Sequence, residues 1–273
     1  MSGSLIDDLI GGVRAGVEKR ESEVSQGELK ARALRVPEAL DVVGRLHSQD
    51  AVSVIAEVKR SSPSHGPLAD IPDPAELARG YQAGGAAMIS VITEEQFFHG
   101  SVADLDAVRN EVAVPVLYKD FVVTPYQVWE ARAHGADAVS IVVTTVEQPV
   151  LHGLVERVHS LGMTALVEAH SADEVARAVD AGARMIGVNA RDLRTQRMDT
   201  GMFATLAPQI PDHIVRVAAS GVRGPADMIG YARSGAHAVL VGESLVRHRT
   251  TVADLVAAGR HPSLWAVRPP VRH

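Results

Sequence analysis

The chain predicts an α/β fold, a single (β/α)8 TIM barrel with an N-terminal helical extension, on three observations. Eight apolar runs of strand length recur about every 20 to 35 residues, amphipathic helical stretches separate them, and several of those stretches close on a Gly-Ala step just before the next run. That beat is the length of one βα unit. The apolar share is 46% with only 4% aromatic, so the core is built of small branched residues, which suits parallel strands covered by helices. No Gly-x-Gly-x-x-Gly follows the first strand, which speaks against an open dinucleotide-binding sheet. The predicted organisation is an extension over the barrel at 1–48, the barrel at 49–260 and a tail at 261–273 that is Pro- and Arg-rich and expected to fray.

In the extension, Leu5, Ile6, Leu9, Ile10, Val13 and Val17 recur at helical spacing. Further helices are expected over Gln26 to Leu34 and Pro37 to His47. The strand candidates are Val52–Val58, Met88–Thr93, Pro115–Lys119, Ala138–Val143, Thr164–Glu168, Met185–Asn189, Ile214–Ser220 and Ala238–Gly242. Between them, Pro74–Ala83, Tyr126–His134, Ala172–Ala181 and Pro225–Ser234 read as helices. Each is followed by a Gly suited to a C-cap of positive φ and an Ala where helix meets strand.

Composition narrows the function. A net charge of −6 without blocks argues against a nucleic-acid surface and gives a membrane no attraction. Asp7 and Asp8 interrupt the first apolar pattern, so it is no signal peptide, and no run of about 18 apolar residues could span a bilayer. With no cysteine there is neither a disulfide framework nor thiol chemistry. The expectation is a cytoplasmic protein, a monomer or weak homodimer, acting on a small molecule. The 12 histidines show no ligand-like clustering, so neither a metal nor any other cofactor is expected.

A barrel of this kind works at the C-terminal ends of its strands. Those ends carry Glu57 and Lys59, two residues apart and so on one side of the first strand, then Lys119, Glu168, and Asn189 with Arg191. Two amines and two acids facing one pocket make an acid–base set. The small-residue turns at Ser220-Gly221 and Gly242-Glu243 suit a phosphate cradle, with Lys59 and Arg191 near enough to assist. Glu243 is expected to turn away and offer only its N–H. Phe98 and Phe121 are the candidates for stacking on an aromatic substrate, whereas Trp129 sits mid-helix as packing. The loop from Arg60 to Asp70 reads equally as a lid or as a rigidly packed segment, and Ser62 in it is counted among the substrate-binding residues.

These residues resemble one family, indole-3-glycerol phosphate synthase, from Leu5 to about Pro262. The resembling segments include Ile55-Ala-Glu-Val-Lys-Arg-Ser-Ser-Pro-Ser64, Val116-Leu-Tyr-Lys-Asp-Phe121, Leu166-Val-Glu168, Gly187-Val-Asn-Ala-Arg-Asp-Leu193 and Leu240-Val-Gly-Glu-Ser-Leu245. The ending Ala258-Gly-Arg-His-Pro-Ser263 looks most like actinobacterial members. The resemblance implies a carboxy-lyase of tryptophan biosynthesis, which closes 1-(2-carboxyphenylamino)-1-deoxyribulose 5-phosphate to indole-3-glycerol phosphate with loss of carbon dioxide and water. It further implies Lys119 as the acid on the C2′ carbonyl, Lys59 as holder of the substrate carboxylate and acid in the dehydration, and Glu57 and Glu168 as base or as partners of the lysines. Asn189 would bond sugar hydroxyls or the carboxylate. Two positions depart most clearly from the family pattern, Ala219 for a usual Glu and Tyr118 for a usual Arg or other long residue, and Val143-Thr-Thr-Val146 and Ala169 are also less usual. They leave open a paralogue acting on a related anthranilate-derived sugar phosphate, or a phosphate-binding barrel of little or no activity.

Overall fold

A computed structural model describes residues 5–47, 51–193, 195–247 and 249–260, and the 261–273 tail lies outside them. Eight parallel strands form a closed barrel: β1 (Ser53–Val58), β2 (Met88–Ile92), β3 (Val116–Lys119), β4 (Ala138–Val142), β5 (Thr164–Ala169), β6 (Met185–Asn189), β7 (Val215–Ala219) and β8 (Ala238–Val241). Each strand pairs with its sequence neighbours, and β1 closes on β8 with Ser53 opposite Ala238. Every predicted run holds a strand, with ends differing by two residues at most. The fold is the α/β barrel that the spacing predicts.

Alternation along each strand divides the core in two. Ile55, Met88, Leu117, Leu166, Met185, Val217 and Leu240 point inward and fill the barrel. Val54, Ile89, Val116, Tyr118, Val139, Val167, Ile186 and Val239 point outward against the helices. The helices are α1 (Leu5–Glu23), α2 (Gln26–Ala33), α3 (Val42–His47), α4 (Pro74–Ala83), α5 (Val102–Glu111), α6 (Pro125–Ala133), α7 (Gln148–Ser160), α8 (Ala172–Asp180), α9 (Met202–Leu206), α10 (Pro225–Arg233), α11 (Glu243–Val246) and α12 (Val252–Gly259). Pro begins α4, α6 and α10, where its missing N–H costs nothing. Gly85, Gly135, Gly182 and Gly235 follow four of these helices with φ between 77° and 94°, a conformation that a side chain would strain.

The extension does not act as one cap. Leu9, Val13 and Val17 form the buried stripe of α1, and α2 starts on a capping box between Ser25 and Glu28 and lies along α6. The third helix is shorter than predicted: it begins at Val42, not Pro37, because the preceding backbone is bonded elsewhere. The Pro37 carbonyl accepts from Arg132, Leu40 N–H donates to Asp137 Oδ1 at 2.8 Å, and Asp41 caps Gly44 N–H at 2.9 Å. Val42 and Leu46 then plug the N-terminal end of the barrel interior.

Asp137 holds this end together. Its buried carboxylate accepts from Leu40 N–H, from Val116 N–H at 2.8 Å and from Arg109 Nη1 at 2.7 Å. Replacing it with Ala strands three donors, one of them charged. The expected loss of stability is about 3–5 kcal/mol, measured by urea unfolding.

Candidate active site

Inward positions near the C-terminal ends of β1, β3, β5 and β6 converge on one cavity lined by Glu57, Lys59, Lys119, Glu168 and Asn189. Lys119 Nζ lies 2.9 Å from Glu168 Oε1, an ion pair spanning β4. Ser140 on that intervening strand donates to Glu168 Oε1 at 2.5 Å, and Asn189 Nδ2 donates to Oε2 at 3.2 Å. Lys59 Nζ lies 3.7 Å from Glu57 Oε2, and Ser90 Oγ donates to Glu57 Oε1 at 3.5 Å. Glu57 is therefore far less engaged than Glu168.

The electrostatics follow. Burial opposes charge on Lys119, but Glu168 and Glu57 outweigh it and hold the ammonium above the ordinary lysine value. Burial would push Glu168 up, yet the Lys119 charge, its hydrogen bond and that of Ser140 hold the carboxylate below its ordinary value. The pair is thus a charged amine and a charged acid across the neutral range.

The cavity has two characters. One side is apolar and aromatic: Phe98 and Phe121, with ring centroids 6.1 Å apart, face it with Ile6 and Leu9 of α1 and with Leu193. Lys59 Nζ sits 5.3 Å from the Phe98 ring, within cation–π range. The other side opens into an adjoining hollow lined by Arg191, Ser220, Gly221, Gly242 and Glu243, together with His65, Thr200, Arg223, Ser244 and Arg249. Glu243 and Ser244, the first two residues of α11, line this hollow. A Cβ at position 242 would lie 2.5 Å from Glu57 Oε2, so any side chain there would displace the Glu57 carboxylate.

The cavity and the hollow together bring all the candidate residues around one cup. Ser62 lines the cavity from a short hairpin, where Ser61–Ser62 pairs with Gly66–Pro67; Arg60 anchors this loop to Asp104 and the Ile71 carbonyl. Ser220 Oγ donates to Asn189 Oδ1 at 2.8 Å, orienting that amide. Ala219 lines the cavity opposite Asn189. Trp129 lies outside the cup, half-buried between Lys30 and Arg157.

Glu243 corrects the sequence reading. Its carboxylate does not simply turn away but stands between two side chains, 3.5 Å from His65 Nδ1 and 3.6 Å from Arg247 Nε, at the rim of the hollow. The neighbour missing from the sequence argument is His65, some 180 residues upstream and brought across by the β1 loop. Arg223 and Arg249 were also missed as lining residues. Arg223 stands just past the Ser-Gly turn, and its proximity to that turn was the available signal.

Comparison with known proteins agrees with this geometry. The model of the family described as "Indole-3-glycerol phosphate synthase" matches residues 6–256. Indole-3-glycerol phosphate synthase 1 of Streptomyces coelicolor is 61% identical over 264 residues, covering 96% of this chain and 98% of that protein. The indole-3-glycerol phosphate synthase of Beutenbergia cavernae is 59% identical, covering 97% and 99%. That of Mycolicibacterium vanbaalenii is 57% identical, covering 96% and 97%. A solved N-acetylmannosamine-6-phosphate 2-epimerase from Clostridium perfringens matches with a TM-score of 0.58 at 15% identity over 72% of this chain and 89% of that one, a likeness of fold alone.

The ion pair supplies its own test. In Lys119→Met, Glu168 loses the cation that offsets its burial, so its titration moves upward. Following the carboxyl carbon of labelled glutamate by NMR across a pH series checks this; an unmoved midpoint contradicts the pairing.

Proposed function

Because this chain belongs to the indole-3-glycerol phosphate synthase family, we propose that its cup performs the family's decarboxylating ring closure through the four charged residues at the strand ends. The observation that carries this reading is the buried Lys119–Glu168 pair, 2.9 Å apart, beside Glu57 and Lys59. A protonated amine, fixed in direction by a carboxylate that keeps its own charge, is the group an acid-catalysed carbonyl attack needs.

The substrate's aromatic ring packs against the wall formed by Phe98 and Phe121, and its phosphate lies in the hollow of Ser220, Gly221, Gly242 and the Glu243 backbone, near Arg191 and Lys59. Lys59 holds the ring carboxylate. The ring carbon bearing that carboxylate bonds to C2′ while the carbonyl oxygen takes a proton from Lys119. The bond to the carboxylate then breaks, its electron pair restores the aromatic ring, and carbon dioxide leaves. In the second stage the new hydroxyl departs as water with a proton from Lys59, and a base takes the proton that completes the indole. Glu57 is the base, because Glu168 is already engaged by Lys119, Ser140 and Asn189 whereas the contacts of Glu57 are 3.5 Å or longer. Asn189, aligned by Ser220, bonds the sugar hydroxyls. Orientation and preplaced charge supply the acceleration, and neither stage draws on a metal or a redox cofactor.

No helix among the described residues is long and apolar enough to cross a membrane, and action on a sugar phosphate in the cytoplasm is part of the same proposal.

Ring closure is followed by the rise of indole fluorescence. Lys119→Ala is expected to lower kcat by about 10³-fold, in the range of general-acid removal. Glu57→Gln is expected to slow the dehydration and so allow a decarboxylated intermediate to accumulate. A Lys119→Ala enzyme with undiminished turnover removes the assignment.

A further inference from the structure

Behind Lys119, on the outward side of β3, lies a buried polar chain that the ring-closure scheme does not use. Arg20 of α1 donates through Nε to Glu130 Oε1 at 2.8 Å and through Nη2 to Oε2 at 3.1 Å. Tyr118 Oη lies 2.9 Å from Glu130 Oε2 and 3.2 Å from Asp120 Oδ2. Asp120 also accepts from Thr93 Oγ1 at 2.8 Å and from Phe121 N–H at 2.7 Å. Tyr118, Asp120 and Glu130 are buried, and a cavity of about 250 Å³ under α1 opens onto Arg20, Thr93, Glu94, Glu95 and Asp120.

Counting protons shows why this chain is not inert. Tyr118 has one hydroxyl proton and touches two carboxylates, so it can donate to only one of them. Glu130, which also carries the bidentate guanidinium, is the nearer acceptor at 2.9 Å against 3.2 Å for Asp120. The Tyr118–Asp120 contact is then attractive either when Asp120 itself carries a proton or when Tyr118 turns its own proton away from Glu130. Ionised Asp120 would leave Arg20 facing two anions. Burial favours the protonated acid most strongly and Glu94 adds to it; Thr93, Arg20 and the Phe121 N–H oppose, and Asp120 is pushed up to about 6. Tyr118 is held well above its ordinary range by burial and by the two carboxylates, so it stays a donor. The charged or titratable groups around Asp120 are thus Arg20 from α1, Glu94 after β2, Tyr118 and Lys119 on β3, and Glu130 on α6. The charge of Asp120 in turn reaches Lys119 and supports its ammonium.

We propose that Asp120 is a positioning residue for Lys119 and Phe121, one whose ionised form draws Thr93, Tyr118 and the Phe121 N–H onto the end of β3, and that Arg20 of the N-terminal helix sets the pH at which this happens. Lys119 and Phe121 are its chain neighbours, one facing the cup as an acid and the other as part of its aromatic wall. With Asp120 protonated, the carboxyl holds the strand end less tightly and the ammonium loses one supporting charge. The inference rests on the reading of Lys119 as the acid of ring closure.

The test is kcat and KM of ring closure against pH. In the wild type, kcat rises through an acid limb near pH 6 as Asp120 ionises. Asp120→Asn mimics the protonated acid in shape and charge. It is expected to lower kcat at pH 7.5 by about tenfold, leave KM within about twofold, and flatten that limb. Arg20→Gln removes the cation that favours ionised Asp120 and moves the limb to higher pH, while Arg20→Lys moves it back; these two variants test the inference even if the Asn variant does not fold. Retention of the limb in Asp120→Asn, or an unmoved limb in Arg20→Gln, overturns it. Failure of the underlying reading looks different: there Lys119→Ala itself keeps its turnover.

Discussion

An ammonium and a carboxylate sunk into the top of the barrel, Lys119 and Glu168, impose the constraint on which the rest of the cup depends. Taking either charge out of water alone costs several kcal/mol, and only their mutual approach, with Ser140 and Asn189 filling the remaining positions on the carboxylate, offsets that cost. They belong to β3 and β5, so the register of β4 between them sets their approach. Closure of the barrel holds that register, since every strand is bonded on both sides. The same closure brings Glu57 on β1 and Gly242 just past β8 so near that a side chain at position 242 would push the Glu57 carboxylate from its place.

Alternation along the strands then assigns the work. On β3, Leu117 and Lys119 face inward while Val116 and Tyr118 face the helices, so two adjacent residues serve different compartments. The inner compartment carries the acid–base set. The outer one joins Tyr118 to Glu130 and Arg20, and through Arg20 to the extension, whose other residues Ile6 and Leu9 form part of the cavity wall. Helix α1 therefore contacts the cup twice, once directly and once through the back of the strand that carries Lys119.

Much of this was legible in the sequence, and its limits have physical reasons. Strand runs, helix C-cap glycines and charged strand ends are local: a period of two, a positive φ and a residue type are visible without knowing what lies across the barrel. The departures are tertiary. Residues 37–41 carry helix-compatible side chains, but Arg132 and Asp137 claim their backbone groups from about 95 residues away. His65 comes from the loop after β1 to meet the Glu243 carboxylate, which a local rule about anions near phosphate could not supply, whereas Arg247, four residues on, was within local reach. The bonds of Arg20 to Glu130 span 110 residues, and nothing in either local pattern announces them.

The same parity argument weighs the two clearest departures from the family pattern unequally. Tyr118 faces outward, so the loss of a long residue there alters the support behind Lys119 and leaves the wall of the cup unchanged. Ala219 faces inward opposite Asn189, where a glutamate would face the substrate. Around the cup as a whole, Lys59, Lys119, Arg191, Arg223 and Arg249 stand against Glu57, Glu168 and Glu243, a surplus of positive charge. A further carboxylate would cancel part of that surplus around a ligand that itself carries a carboxylate and a phosphate, and like charges in a partly desolvated cavity repel strongly. Alanine at 219 thus gives up one potential proton acceptor and lowers the repulsion that an anionic substrate meets on entry, while Glu57 and Glu168, the two acids with lysine partners, are kept.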